Sequence, residues 1–251
     1  MKTKQSEREK KVLSLLAAEP SLTVARISGM LGVSEVTVRS DLTSLETQGF
    51  VIRSHGGVTA AFHPEILRRQ KLRREEKERI ARRAAALIED GDTVMIEAGT
   101  TTAQIARYLI GRRGVRIVTN STLLMPYART NPGLHVSVVG GTFRPETEAL
   151  VGPMALSSLE SFYAGTAFVG TDGFTVENGL SSYFPEAAAV LKKIAERSER
   201  VILVADSSKY GKTGFVSILP LTAVGTVITD TGLSAEAVAS LEEVSVEVIL
   251  A

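Results

Sequence analysis

Leu31-Gly32-Val33-Ser34-Glu35-Val36-Thr37-Val38-Arg39-Ser40-Asp41-Leu42, followed by Arg53-Ser54-His55-Gly56-Gly57-Val58, decides how the head of this chain folds. Ser34 is placed to cap a helix in which Val38, Leu42 and Leu45 recur at i, i+4 and i+7 as a buried seam, leaving Glu35, Thr37, Arg39 and Ser40 outward. Upstream, Val12, Leu15, Leu16 and Ala18 form a helical apolar stripe over residues 6–18 that stops at Pro20. Thr23 caps a second short helix with the apolar face Val24, Ile27, Met30 and Leu31, and Gly32 supplies the permissive backbone for the sharp turn. After Gly49, residues 50–53 read as a strand, His55-Gly56-Gly57 as a tight turn and Val58-Thr59 as the return. Three helices and a two-stranded wing predict a winged helix-turn-helix over residues 1–58, a module that lays its third helix in the major groove of DNA. Arg39 then suits a bidentate contact to guanine or a phosphate clamp, and Ser34, Thr37 and Ser40 are short enough to approach bases or backbone, with Glu35 on the same face. Arg53 and His55 fall near the tip of the wing. The competing reading is a three-helix protein-interaction domain whose charges are merely solvated.

The chain of 251 residues has 44% hydrophobic content, enough for a small domain and one of ordinary size. It has no cysteine, which excludes disulfides, thiolate metal sites and cysteine nucleophiles. The polar first residues and the absence of a long apolar run point to a cytoplasmic protein without a membrane span. A formal net charge of +1 hides an asymmetry: residues 1–90 carry 17 Lys/Arg against 12 Asp/Glu, and residues 91–251 carry 12 against 16. A basic head suits a polyanion, and the acidic remainder argues against a protein that coats nucleic acid throughout. His55, His63 and His135 are too scattered for a metal site, and no cofactor is expected.

Residues 59–74 read as a linker in which Pro64 argues against helix and which ends in the basic cluster Arg68, Arg69, Lys71, Arg73 and Arg74. From residue 75 the pattern is α/β. A helix is predicted over 75–88, strands over 93–97, 115–119, 134–139, 166–169, 201–205, 226–229 and 246–250, and helices over 102–110, 153–162, 186–197 and 235–241. Continuous apolar strands between helices imply a largely parallel sheet covered on both faces, with ligands held at the carboxyl ends of the strands. Small polar residues follow the strands: Gly99-Thr100-Thr101-Thr102, Asn120-Ser121, Gly140-Gly141, Gly170-Thr171-Asp172-Gly173 and Asp206-Ser207-Ser208-Lys209. Glycine admits a ligand to the backbone, hydroxyls and N–H groups hold phosphate, carboxylates hold sugar hydroxyls, and lysine adds charge. Five such loops at one edge point to a pocket for a small, polyhydroxylated anion, although each alone is equally explained by caps and turns.

These motifs, with Glu76-Lys77, Ile80-Ala81 and Asp90-Gly91-Asp92, resemble the DeoR/GlpR-type bacterial transcriptional regulators of sugar metabolism over nearly the whole chain. The resemblance implies a winged helix-turn-helix joined to a sensor domain similar in fold to ribose-5-phosphate isomerase, with a phosphorylated sugar releasing a repressor from its operator. It implies Thr100, Thr101 and Thr102, beside Gly99, at the phosphate or sugar end. Asn120, Ser121, Gly140, Gly141, Lys209 and the Thr171-Asp172-Gly173 turn would line the pocket. Two departures stand out: the family's paired arginines in the third helix are Arg39-Ser40 here, and Glu186 is spaced differently from Lys192-Lys193, leaving Lys192 or Lys193 as the inward lysine. Double-stranded operator DNA, a sugar-phosphate effector and a second copy of the chain are the implied partners. The alternative is a sugar-phosphate isomerase or deaminase carrying a DNA-binding domain, with Asp172, Glu97 and Glu186 in acid-base roles and Lys209 stabilising an enediolate. A third reading, a constitutive architectural DNA binder, predicts no response to metabolites.

Overall fold

The computed structural model describes residues 6–19, 22–47, 50–54, 57–60 and 62–251. It divides into two compact units, Met1–Lys71 and Leu72–Ala251.

The first unit holds α1 (Glu7–Ala18), α2 (Val24–Leu31) and α3 (Glu35–Thr47), the hairpin β1 (Val51–Ser54) and β2 (Gly57–Ala60), and α4 (Pro64–Lys71). Each helix starts where its side chains can satisfy the free N–H groups of a first turn. Ser6 and Glu9 form a reciprocal capping box, Thr23 Oγ1 accepts from Arg26 N at 3.3 Å, and Ser34 Oγ accepts from Thr37 N at 3.2 Å. Gly32 ends α2 in the left-handed region at φ 64°. Val12, Leu16, Ile27, Val38, Leu42 and Leu45 form the core expected from their spacing, joined by Leu13, Val51 and Leu67. Asp41 is nearly buried on α3 and accepts from Nε and Nη2 of Arg8, at 2.6 and 3.0 Å, which ties α1 to α3.

Two expectations fail here. Met30 is exposed rather than part of the apolar face of α2, which rests on Ile27 with Val24 and Leu31 partly covered. The segment read as helix-free carries α4, because Pro64 occupies its first position, where a missing N–H costs nothing, and Ile66 and Leu67 then become buried. His63 assists: its Nδ1 accepts from Glu65 N at 3.2 Å and its carbonyl from Leu67 N.

The second unit opens with α5 (Arg74–Ala85) and is built on seven parallel strands. In chain order these are β3 (Thr93–Ile96), β4 (Val115–Thr119) and β5 (Leu134–Val138), then, after the hairpin β6 (Thr142–Arg144) and β7 (Ala149–Val151), β8 (Ala164–Val169). The hairpin β9 (Gly173–Thr175) and β10 (Gly179–Ser182) precedes β11 (Ser198–Val204), and after β12 (Val216–Leu219), which lies outside this sheet, β13 (Thr226–Thr229) and β14 (Glu247–Leu250) complete the seven. All seven strands predicted from the apolar runs are present, in the order β14-β13-β11-β8-β3-β4-β5, and β12-β10-β9 form a small antiparallel sheet.

The crossovers are a 3₁₀ segment at Thr102–Tyr108, where an α-helix was expected, then α6 (Met125–Arg129), α7 (Pro153–Glu160), α8 (Pro185–Glu196) and α9 (Ala235–Glu243). Both faces are covered, as a parallel sheet requires. Met95, Ala167, Val169, Leu203 and Val227 face a core shared with α7, α8 and α9. Val94, Ile96, Phe168, Ile202 and Ile228 alternate with them and are equally buried, on the side of α5, which contacts β11, β13 and the 3₁₀ segment.

Leu42→Ala is expected to destabilise the first unit by about 2–4 kcal/mol through a cavity at the α1–α3 seam. The check is an early loss of helical circular dichroism on heating; an unshifted melt would mean that the seam does not carry the unit.

Candidate functional site

The strand order reverses between β3 and β8: the chain builds outward through β4 and β5, returns to the other side of β3, and builds outward again. Parallel sheets leave a crevice at such a switch point, beyond the carboxyl ends of the two strands. The residues found there are Glu97 and Gly99 to Thr102 from β3, and Gly170 to Gly173 from β8.

Glu97 is buried and its Oε2 accepts from Gly170 N at 3.3 Å, joining the two loops. Thr102 is wholly buried and donates to Gly99 O at 3.1 Å; a Cβ on Gly99 would lie 2.8 Å from that hydroxyl, so the close turn requires glycine. Asn120 bolts the next tip, accepting from Ala98 N at 2.9 Å and donating to Leu150 O at 3.3 Å. Ser121 is fully buried, and its hydroxyl has no hydrogen-bond partner among the described residues. On the β8 side Thr171 Oγ1 knits the turn to β9 and β10 through Gly173 O and Ser181 O, at 2.7 and 2.9 Å. Asp172 accepts from Ser182 Oγ at 2.9 Å and Tyr183 N at 3.1 Å.

The loop after β11 is drawn to the same edge. Asp206 caps a short 3₁₀ turn, Ser207–Lys209, and the following Tyr210 stacks edge-on against Phe174 with centroids 5.4 Å apart. A Cβ on Gly173 would meet Lys212 O at 2.4 Å, so the close approach of the Lys212 backbone depends on glycine. Gly99, the three threonines, Asn120, Ser121, the Thr171-Asp172-Gly173 turn and Lys209 all lie on strand-tip loops at this edge. Gly140 and Gly141 follow β5 but pack on α7 and β7: a Cβ on Gly141, at φ 143°, would lie 2.7 Å from Val151 O. Lys192 is not brought to the tips; it lies about 10 Å along α8 from the end that begins at Pro185. Lys193 pairs with Glu160 and Glu196, and Glu186 with Arg144, away from any acid-base geometry.

Two cations that the sequence reading does not assign to the site come from the start of α5. Lys77 is buried and reaches Thr100 Oγ1 at 3.2 Å. The signal was present: Lys77 stands on the stripe of Ile80, Ala81 and Ala84, where a lysine on an apolar face needs an internal partner. Arg73, in the left-handed conformation at φ 51°, reaches Asp230 at 3.2 Å, Glu76 at 3.6 Å and Asp206 at 3.7 Å. Asp230 is 2% exposed at the end of β13. Burial alone would raise its pKa, but N–H groups of Ser207 and Gly232, the Ser207 hydroxyl and Arg73 outweigh that and hold it below the usual 3.8. Glu148, at φ 52°, is shifted upward by burial, only partly offset by the Thr122 hydroxyl.

In the first unit the expected DNA face is exposed on α3. Arg39 pairs with Glu35 at 3.2 Å, and the hydroxyls of Ser34 and Thr37 are 2.8 Å apart, with Thr37 partly covered and Ser40 open to solvent. Arg53 lies in β1 opposite Val58 in the wing ladder; His55 lies outside the described residues.

Against known proteins, residues 8–62 match the DeoR-like helix-turn-helix domain and residues 72–231 the DeoR C-terminal sensor domain. The chain belongs to the DeoR family. The HTH-type transcriptional regulator GlpR of Haloferax volcanii is 34% identical over 97% of each chain. The lactose phosphotransferase system repressor of Lactococcus lactis is 31% identical over 96% of each. Among solved structures, ribose-5-phosphate isomerase bound to phospho-erythronic acid aligns over 55% of this chain and 54% of its own, at 18% identity and a TM-score of 0.41. The sorbitol operon regulator SorC of Klebsiella pneumoniae aligns over 93% and 99%, at 13% identity and a TM-score of 0.42. This DeoR-family chain is therefore a DNA-binding regulator, and the isomerase or deaminase alternative is set aside by the regulator identity of its relatives. No helix among the described residues is long and apolar enough to cross a membrane.

Asp230→Asn should lower the stability of the second unit by on the order of 2 kcal/mol at neutral pH, since Arg73 loses its closest anionic partner. Because folding depresses this pKa, the carboxylate's contribution is complete above about pH 4 and is lost as pH falls through the lower folded value. Denaturant melts of both proteins should therefore converge on the acid side; a gap that persisted there would contradict the assignment.

Proposed function

We propose that the chain represses a carbohydrate-utilisation operon and is released from its operator by a phosphorylated sugar. The observation that carries this reading is the strand-order switch point, where the loop after β3 carries threonine hydroxyls met by buried Lys77 and the loop after β8 carries the Asp172 carboxylate. Phosphate needs cations and hydroxyl donors, and sugar hydroxyls need carboxylate acceptors, so the two loops suit opposite ends of one small molecule. Thr100 and Thr101, with Gly99 beside them, take the anionic end in this reading, and Asp172 and Lys209 the other. Repressor names among the relatives support the direction of control.

Arg39, Ser40, Ser34 and Thr37, with Glu35, form the major-groove face, and Arg53 and His55 the wing contacts. Two copies of the chain would present two such faces to a two-fold operator. Coupling is linkage: an effector that favours one arrangement of the protein weakens DNA binding by its differential affinity for the two states. Arg73 supports a route, since it stands two residues after Lys71, at the boundary of the units, and is held by carboxylates at the strand tips.

The test is fluorescence anisotropy on duplexes selected from a random pool by the full-length protein, with ribose 5-phosphate, glucose 6-phosphate, fructose 1-phosphate and glycerol 3-phosphate as probes. At least one probe should weaken binding tenfold or more. Lys209→Ala or Asp172→Ala should remove that response and keep DNA affinity, while Arg39→Ala should remove affinity itself. Affinity should also fall steeply with salt as counterions are released. Selection of no duplex, or indifference of the selected complex to every probe, would contradict the reading.

A further inference from the structure

Helix α3 exposes an apolar side chain at the place where a base-reading group belongs. Val36 is 76% exposed, in the first turn of the helix. At about 100° per residue it lies half a turn round from buried Leu45, nine residues on, and so at the middle of the exposed stripe formed with Arg39, Ser40, Thr43 and Thr47. The polar groups beside it are already engaged within the helix, Ser34 with Thr37 and Glu35 with Arg39, and their charges nearly cancel. An exposed valine contributes nothing to the core of Val38, Leu42 and Leu45. Its surroundings commit the occupant: the unit carries 11 Lys/Arg against 7 Asp/Glu over residues 1–71 and matches a DNA-binding module.

We propose that Val36 is a specificity-determining residue that packs on the 5-methyl group of a thymine in the major groove. That methyl is the apolar feature of the groove's donor and acceptor code, and small aliphatic side chains at the start of a recognition helix are its natural partners. Polar neighbours can read hydrogen-bonding edges, but they cannot distinguish thymine from a base that offers the same acceptor without the methyl. The inference rests on α3 being the helix that enters the groove, as in the functional reading above.

The experiment replaces each thymine of the selected duplex in turn by deoxyuridine, which deletes the methyl alone, and measures affinity for wild type, Val36→Ala and Arg39→Ala. For wild type, at least one thymine should lose about three- to fivefold on replacement, the worth of one buried methyl group. Val36→Ala should bind the unmodified duplex more weakly by a similar factor and be blind to deoxyuridine at that position. Its melt should match wild type, because the side chain packs against nothing in the core. Equal deoxyuridine penalties in wild type and Val36→Ala, or none at any position while Arg39→Ala still abolishes binding, overturn the role of Val36 alone. A blank scan together with an Arg39→Ala protein of full affinity overturns the placement of α3, and the inference with it.

Discussion

A parallel sheet covered on both faces leaves its polar backbone reversals only two places to go, and everything in the second unit depends on how the carboxyl-end edge accommodates them. Glu97, Asp206 and Asp230 stand at the ends of β3, β11 and β13, with exposures of 7%, 3% and 2%. Carboxylates so withdrawn from water are tolerated only when each is met by N–H groups, hydroxyls or a cation. Glu97 receives Gly170 N, Asp206 caps its own turn, and Asp230 gathers two backbone N–H groups, a hydroxyl and Arg73. The edge is therefore a lattice of obligatory partners, and the reversal of strand order between β3 and β8 opens that lattice at one place.

The same constraint explains why α5 begins as it does. Arg73 adopts a left-handed backbone that a branched or long residue enters only at a cost of about 1 kcal/mol or more. The carboxylates at the ends of β11 and β13 offset that cost, and one turn later Lys77 reaches Thr100. The first turn of the second unit is thus fixed by the groups that shape the crevice. Arg73 keeps one buried nitrogen without a hydrogen-bond partner among the described residues, so the guanidinium is held by charge more than by complete hydrogen bonding.

What was legible in the sequence follows from which signals are local. The seven sheet strands announced themselves as continuous apolar runs, and the caps Thr23, Ser34 and Gly32 lay where their chemistry demanded. The short strands β6, β7, β9, β10 and β12 did not, because three or four residues are too few to show a period. Helix α4 is hidden for a different reason: proline breaks a helix in its interior but starts one at its first position, and the sequence alone does not say which Pro64 does. At the candidate site the loops were legible as small polar clusters after strands, but their division of labour was not. Thr102, Asn120 and Thr171 spend their polar groups on neighbouring backbone, whereas Arg73 and Asp230, 157 residues apart, meet only once the sheet exists.

The two units solve opposite problems with the same residue types. At the strand tips charges are buried, so their partners must be permanent, and exchanging one partner for a ligand means replacing every bond it supplied. On α3 the pairs Glu35–Arg39 and Ser34–Thr37 are solvent-exposed neighbours on one helix, each worth only a few tenths of a kcal/mol. In the proposed DNA complex, exchanging them for a bidentate base contact worth about 1–3 kcal/mol would leave a net gain. A surface that must be rewritten on binding is best built from weak local pairs, and a pocket that must keep its shape between ligands from strong distant ones; the burial of Asp230 and the exposure of Arg39 are two results of that single rule.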